Sequence, residues 1–257
     1  MTRIAGGSLD AFKGKNVLEA GCGAGRFTEV MLDAGASVFA IDLSVAVDAN
    51  CKNFRSRANY FVCQADILAA PVAPEQFDIV VCIGVIQSTP DSKETIKKLC
   101  SYLKPKGMLL IDHYTHEYPM TATRVKIRNF LRGKNKYFSL RFIQFMVGAL
   151  WPLHALSFRF RNAKGVPRLR RRFLSWSPVV DYHDAYASLG NKLLRQWVIL
   201  DTHDTLTDHY KHLVSAEEIR SILQSCRMTD IQIDNAGNGV EARAIKEARE
   251  ADHAVPV

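Results

Sequence analysis

Several things are missing from this 257-residue chain, and each absence narrows what it can be. Its six cysteines, Cys22, Cys51, Cys63, Cys82, Cys100 and Cys226, form no CxxC pair and no ligand-like cluster. That argues against a disulfide framework or a structural zinc and for a reducing, cytoplasmic setting. No basic, then apolar, then small-residue order opens the chain, so no secretory signal is expected. No Asp or Glu occurs between Tyr118 and Val180, a stretch that holds fourteen Lys or Arg against a net charge of +8 for the whole chain. Long apolar runs are also scarce. The longest, Phe142 to Phe158, only touches the lower bound for a membrane span, about 17 residues, and contains Pro152, which predicts a kink.

What is present reads as alternating strands and helices. Val17 to Ala20 is a short apolar strand, and Arg26 to Ala34 has helical spacing that stops at Gly35. Ser37 to Asp42 is a second strand, followed by a helical stretch from Val45 to Arg55. Tyr60 to Ala65 and Phe77 to Ile83 are the third and fourth strands. Ser92 to Leu103 is a helix ended by KPKG, and Met108 to Tyr114 is a fifth strand. A helix opened by Ser215, then Ile231 to Ile233 and Val240 to Ile245 around the turn NAGNG, close the pattern. The alternation predicts a doubly wound, mostly parallel α/β sheet with its ligand at the carboxyl ends of the strands. The expected organisation is a core over residues 1–117, a helical insertion over 118–200, a closing helix and strands over 201–247, and a frayed tail over 248–257.

Those strand ends carry the informative side chains. Gly21, Gly23 and Gly25 allow a sharp turn that presents backbone N–H groups at a helix N-terminus. Dinucleotide-binding loops use the same device but want a third glycine three places after the second, where this chain has Arg26. A hydride-transferring dehydrogenase is thereby disfavoured. Glu19 ends the first strand, where it could pair an ammonium group. Asp42 ends the second, with Leu43 after it, where a carboxylate can accept both hydroxyls of a ribose. Asp66, flanked by Ala65 and Ile67, is placed for an exocyclic adenine amine, and Ile83 and Gly84 end the fourth strand beside the same crevice. Cys22 reads as a small residue on the loop.

These residues resemble the class I S-adenosyl-L-methionine-dependent methyltransferases. VLEAGCGAGRFT is similar to the family's first motif, AIDLS to its ribose motif, QADI to its adenine motif, FDIVVCIGVIQSTPD to its fourth-strand motif and LKPKGMLLI to its fifth. The resemblance runs in order from Asn16 to Tyr114, and DNAGNGVEARAIK looks like the closing strands of one subgroup. It implies a seven-stranded sheet in the order 3-2-1-4-5-7-6 with the last strand antiparallel, S-adenosyl-L-methionine as cofactor, and methyl transfer by in-line displacement. Relatives commonly place a His where Ser88 stands. DTHDTLTDHYKH also resembles a segment of the subgroup, in which Asp201, Asp204 and Tyr210 match and are expected to shape the acceptor pocket. His113, just after the fifth strand, is either a general base or a structural residue. His203, His209 and His212 match no standard metal-ligand spacing, and no metal is expected.

The insertion leaves three readings open. Its apolar face could form a helical lid with solvated basic residues. Its apolar ridge flanked by Lys and Arg could lie at a membrane interface. Its charge could bind phosphate on an acceptor or on RNA. Most aromatics sit inside the apolar run and are not interleaved with the basic residues, which favours lid or lipid over RNA. A single membrane span is excluded on topology, because residues after Ser215 must return to the sheet and no second apolar run exists. IGVIQS stands where amino-group methylation of bases would favour an Asn/Asp-Pro-Pro-aromatic motif. The expected function is methyl transfer to a small-molecule or lipid-like acceptor, on oxygen before nitrogen or carbon. An RNA-modifying methyltransferase and a non-catalytic S-adenosyl-L-methionine-binding protein are the alternatives.

Overall fold

The computed structural model describes residues 1–116, 120–236 and 239–248. The chain divides into two compact units, one formed by Met1–Tyr118 with Tyr210–Val257 and the other by Pro119–His209.

The first unit is built on a seven-stranded sheet. In chain order it contains β1 (Asn16–Ala20), α1 (Arg26–Asp33), β2 (Ser37–Asp42), α2 (Ala46–Phe54), β3 (Tyr60–Gln64), β4 (Phe77–Cys82), α3 (Ser92–Tyr102) and β5 (Leu103–His113). The second unit supplies α4 (Ala122–Leu131), α5 (Lys136–Arg159), α6 (Val166–Trp176), α7 (His183–Tyr186) and α8 (Gly190–Thr207). The chain then returns to the first unit with α9 (Ala216–Ser225), β6 (Met228–Ala236) and β7 (Gly239–Lys246).

The strand order is β3-β2-β1-β4-β5-β7-β6. β1 to β5 pair in parallel, and β7 runs antiparallel to both β5 and β6. Strands buried on both faces need near-continuous apolar sequence, and VLEA, FDIVVC and MLLI supply it. One face packs Leu18, Ile41, Val80 and Ile111 with Ile96 and Leu99 of α3 and Ile219 and Leu223 of α9. The other packs Val17, Val38, Ile79 and Leu110 with Met31 and Leu32 of α1, Val47 of α2 and Phe12. α9 starts on a capping box in which Ser215 and Glu218 satisfy each other's backbone N–H groups.

Three elements differ from expectation. β5 begins at Leu103, so KPKG lies inside the strand; Lys106 adopts φ 63° and the pairing with β4 shifts between Phe77 and Ile79. Pro105 and Gly107 suggest a stop in sequence, but an irregular strand absorbs them. β6 and β7 extend beyond the short apolar cores that marked them in sequence. Residues 201–207, grouped in sequence with the closing part, belong to α8 of the second unit. The centre of the NAGNG turn and the tail beyond 248 lie outside the described residues.

The second unit has its own core of Leu131, Ile143, Met146, Val147, Val179, Val198 and Leu206. Two of its arginines are internal struts. Arg124 donates to the carbonyls of Pro178 (3.2 Å) and Val179 (3.0 Å), and Arg128 pairs with Asp208 at 2.8 Å. α5 continues through Pro152. Among the described residues no helix is long and apolar enough to cross a membrane.

Candidate functional site

The carboxyl ends of β1, β2 and β4 and the loop after β1 form one connected constellation. Gly21 and Cys22 both donate backbone N–H groups to the Ile41 carbonyl, at 2.8 and 3.0 Å, which straps the loop to the end of β2. Gly23 N–H then reaches the Asp42 carboxylate at 2.8 Å. All three loop glycines have positive φ: 84° at Gly21, 50° at Gly23 and 105° at Gly25. They serve different ends. A Cβ on Gly21 would stand 2.2 Å from Val85, and one on Gly25 2.2 Å from Phe54, so these two are needed for protein packing. A Cβ on Gly23, or on Gly84 (φ 79°), would meet nothing within 4 Å. Those two positions leave bare backbone on which a ligand can lie.

Glu19 is buried at 3% exposure and takes a 2.5 Å hydrogen bond from Thr28. Burial pushes its carboxyl up to about 7, partly opposed by the Thr28 hydrogen bonds and reinforced by Asp42. Asn50, also fully buried, donates to Gly23 O (3.2 Å) and Thr28 Oγ1 (3.1 Å) and accepts from Tyr60 at 2.7 Å. This Tyr60, Asn50, Thr28 chain fixes both the loop and the Glu19 carboxylate. Polar residues at these helix and strand positions are its signal in sequence. Asp42 Oδ1 accepts from the backbone and hydroxyl of Ser44 at 2.8 and 2.7 Å. Gln64 donates to the Leu43 carbonyl (2.8 Å) and leaves the Leu43 side chain 69% exposed. Ala65 N–H joins the end of β3 to Asp42 O at 3.0 Å, and Asp66 caps the following turn through Leu68 N–H at 2.9 Å. Ile67 is buried beneath it. Cys22 is buried, and burial pushes its thiol up to about 12, so it is an inert small residue.

The expected catalytic residues are distributed differently. His113 has zero exposure; Nδ1 lies 2.8 Å from the Tyr114 carbonyl and Nε2 3.0 Å from Ser92 Oγ. Burial lowers its pKa. Both ring nitrogens are taken by these contacts and none is left for an acceptor, which favours the structural alternative for His113. Asp204 is exposed on α8 in the second unit, and Asp201 there accepts from Tyr182 at 2.6 Å. Tyr210 is in the first unit, stacked on His212 at 5.9 Å between ring centroids.

Two features went unread in the sequence. Side chains alternate along a strand, so the neighbour of His113, Asp112, faces the other way. It is 4% exposed and accepts the Gly84 N–H at 2.5 Å. Burial pushes its carboxyl up to about 6, opposed by that hydrogen bond and reinforced by Glu241. Alternation along LLIDH was the available signal. His212 donates its backbone N–H to the Gln87 carbonyl at 2.9 Å, and His212 Nε2 and Gln87 Oε1 are both buried without a hydrogen-bond partner. Buried polar atoms are nearly always paired, so these two set the end of β4 and the segment before α9 apart from the rest of the first unit.

The Methyltransferase domain family profile matches residues 11–139. The ubiquinone biosynthesis O-methyltransferase of Pseudomonas fluorescens (strain SBW25) is 34% identical over 99 residues, covering 37% of this chain and 43% of its own. Its Coxiella burnetii (strain Dugway 5J108-111) counterpart is 33% identical over 100 residues, covering 38% and 42%. The chain thus spans less than half the length of the curated relatives it matches. Among solved structures, the CMeT domain of the citrinin polyketide synthase superposes with a TM-score of 0.50 at 14% identity, over 93% of this chain and 48% of that one, a likeness of fold alone.

Proposed function

Because the chain belongs to the class I S-adenosyl-L-methionine-dependent methyltransferases, we propose that it transfers the methyl group of that cofactor to an oxygen of a small, lipid-like acceptor. One observation carries the reading: backbone left bare at Gly23 and Gly84, set beside a buried Glu19 whose carboxyl gains from a cation and an Asp42 at the end of β2. When bound, the cofactor supplies a methyl already activated on a sulfonium. The protein's part is therefore to hold the partners in line and manage one proton. Glu19 pairs the ammonium of the methionine moiety, the Gly21–Gly25 loop carries its backbone, Asp42 accepts the ribose hydroxyls, and Leu43, Ala65, Asp66 and Ile67 frame the adenine. Ile83, Gly84 and Asp112 close the side nearest the transferred group. His212 Nε2 takes the proton from the acceptor hydroxyl, and Gln87 Oε1 orients that hydroxyl.

The acceptor class follows from two supports. The relatives named above are O-methyltransferases of ubiquinone biosynthesis. In the second unit the corner between α4 and α5 exposes Phe130 (50%), Tyr137 (67%) and Phe138 (47%), beside the exposed Arg132, Lys134 and Lys136. Aromatic rings ringed by cations suit the headgroup boundary of an anionic lipid surface, where a lipid-like acceptor resides.

The test is to incubate the purified protein and extract from the source cells with methyl-labelled S-adenosyl-L-methionine, then partition the products. Label in the organic phase supports the reading. Label among small aqueous molecules removes the lipid character, and label in RNA overturns the acceptor class altogether.

A further inference from the structure

Among the described residues, one group of metal-capable side chains converges, and it is not the histidine set weighed in the sequence. His154, Asp181 and His183 each offer one ligand atom, all within 4.8 Å of one another. We propose that these three side chains bind a divalent first-row transition ion, with zinc as the reference ion, inside the second unit.

The spacing suits an ion. From Asp181 Oδ1, His183 Nδ1 lies at 2.6 Å and His154 Nδ1 at 3.8 Å. Donors arranged tetrahedrally at about 2.0–2.1 Å from zinc stand ~3.3 Å apart, so the two distances straddle the required value and small shifts bring both to it. At 3.8 Å the His154 nitrogen is too far for a hydrogen bond. It is buried without a partner, on a residue 1% exposed, and it faces a carboxylate.

At His154 and Asp181 the surroundings also have the character of a metal site, in which outer contacts fix the inner ligands, whereas His183 Nε2 is buried without a partner. Ser177 Oγ lies 2.9 Å from His154 Nε2, which leaves Nδ1 for the ion when Nε2 carries the proton. Arg170 holds the other Asp181 oxygen at 2.6 Å, the His183 backbone N–H donates to Oδ1 at 3.1 Å and leaves its second lone pair for the ion, and Asp184 lies 2.7 Å from Arg170 and offsets its charge. The rings of Trp151 and Phe158 stand 4.8 and 5.4 Å from His183, and Phe173 stands 4.8 Å from His154, so the donors sit against an apolar wall. Two imidazoles and one carboxylate suit zinc among the first-row ions and leave a fourth position for water. The ion would pin α5, through His154, to the start of α7, through His183. Arg170 would join α6, which has no fully buried side chain of its own.

The full chain, stripped with a chelator, is titrated with Co2+ and followed by visible absorption, a signature that needs no acceptor and no turnover. One equivalent of Co2+ should give an intense low-coordinate band that Zn2+ displaces. His154→Ala and His183→Ala should each weaken binding by more than ~100-fold, and Ser177→Ala by ~10-fold, as outer contacts do. His203→Ala, on α8, should leave it unchanged. Far-UV circular dichroism checks that each variant is folded, and the wild-type band stands independently of them. No band, or a band that survives both histidine substitutions, overturns the site.

Discussion

The Gly23 backbone N–H and the Asp42 carboxylate meet at 2.8 Å, so the residue expected to hold a ribose also holds the glycine loop in shape. Asp42→Ala removes an acceptor from both. Hydrogen bonds to a charged group contribute roughly 1.5–3 kcal/mol each, so losing those to two ribose hydroxyls should lower S-adenosyl-L-methionine affinity by at least ~100-fold. Titration calorimetry measures this directly. Unchanged affinity would remove Asp42 from the site.

Glu19 makes cofactor affinity depend on pH. Its carboxyl is raised to about 7 by burial, so below that value the ligand-free protein carries a proton there. An ammonium partner favours the ionised form, and binding must therefore release that proton. Affinity should rise about tenfold per pH unit up to pH 7 and then level off. Calorimetry at pH 6 in buffers of different ionisation enthalpy should register close to one proton released, and Glu19→Gln should abolish the release. The sign for stability is opposite. Between the ordinary carboxyl value and 7 the native state binds more protons than the unfolded one, so the ligand-free chain loses stability as pH rises through that window. The expected loss is about 3 kcal/mol from Glu19, with Asp112 adding to it at lower pH. A stability curve flat from pH 4.5 to 7 would contradict the burial of this carboxylate.

Two glycine substitutions separate packing from ligand approach. Gly21→Ala places a Cβ 2.2 Å from Val85 at φ 84° and should destabilise the fold by about 2–4 kcal/mol. Gly23→Ala meets no protein atom within 4 Å and should carry only the left-handed strain, about 1–2 kcal/mol. It should nevertheless lose most cofactor binding. Thermal melts with and without S-adenosyl-L-methionine distinguish the two. A Gly23→Ala protein stabilised by cofactor as well as wild type would show that the ligand does not approach this backbone.

The sequence made the cofactor side readable and the rest less so, for physical reasons. Close backbone approach demands glycine, and charged partners demand acids at strand ends, so Glu19, Gly21, Gly23, Gly25, Asp42 and Asp66 announce themselves by residue type and spacing. The strands themselves are legible because buried parallel strands need unbroken apolar runs, whereas their order is what the family resemblance implies. Facing is harder: a strand end points its residues alternately to opposite sides, so His113 stands out by residue type while its neighbour Asp112 is the one that accepts the Gly84 N–H. The start of β5 was hidden because Pro105 and Gly107 look like a stop, yet the strand tolerates them at an irregular pairing. Clusters built across elements leave no local trace. His154 stands nearly thirty residues before the Asp181–His183 pair, and His212 meets Gln87 across more than a hundred residues, so only the folded chain brings them together.

That difference between two histidines gives the last prediction. His113 is a structural residue in this geometry, since both ring nitrogens are engaged with Ser92 and Tyr114 inside the core. His113→Ala should lower stability by about 2–4 kcal/mol, through a cavity and the loss of the ring's contacts to Ser92 and the Tyr114 carbonyl. Transfer per folded molecule should keep its pH profile. His212→Gln should do the reverse. It keeps a polar group near Gln87 and should leave the melting temperature and cofactor affinity near wild type. It should also slow labelled-methyl transfer by 10²–10⁴-fold, the usual contribution of a general base. If His212→Gln transfers at the wild-type rate, the acceptor needs no base from this position and the in-line geometry alone carries the reaction.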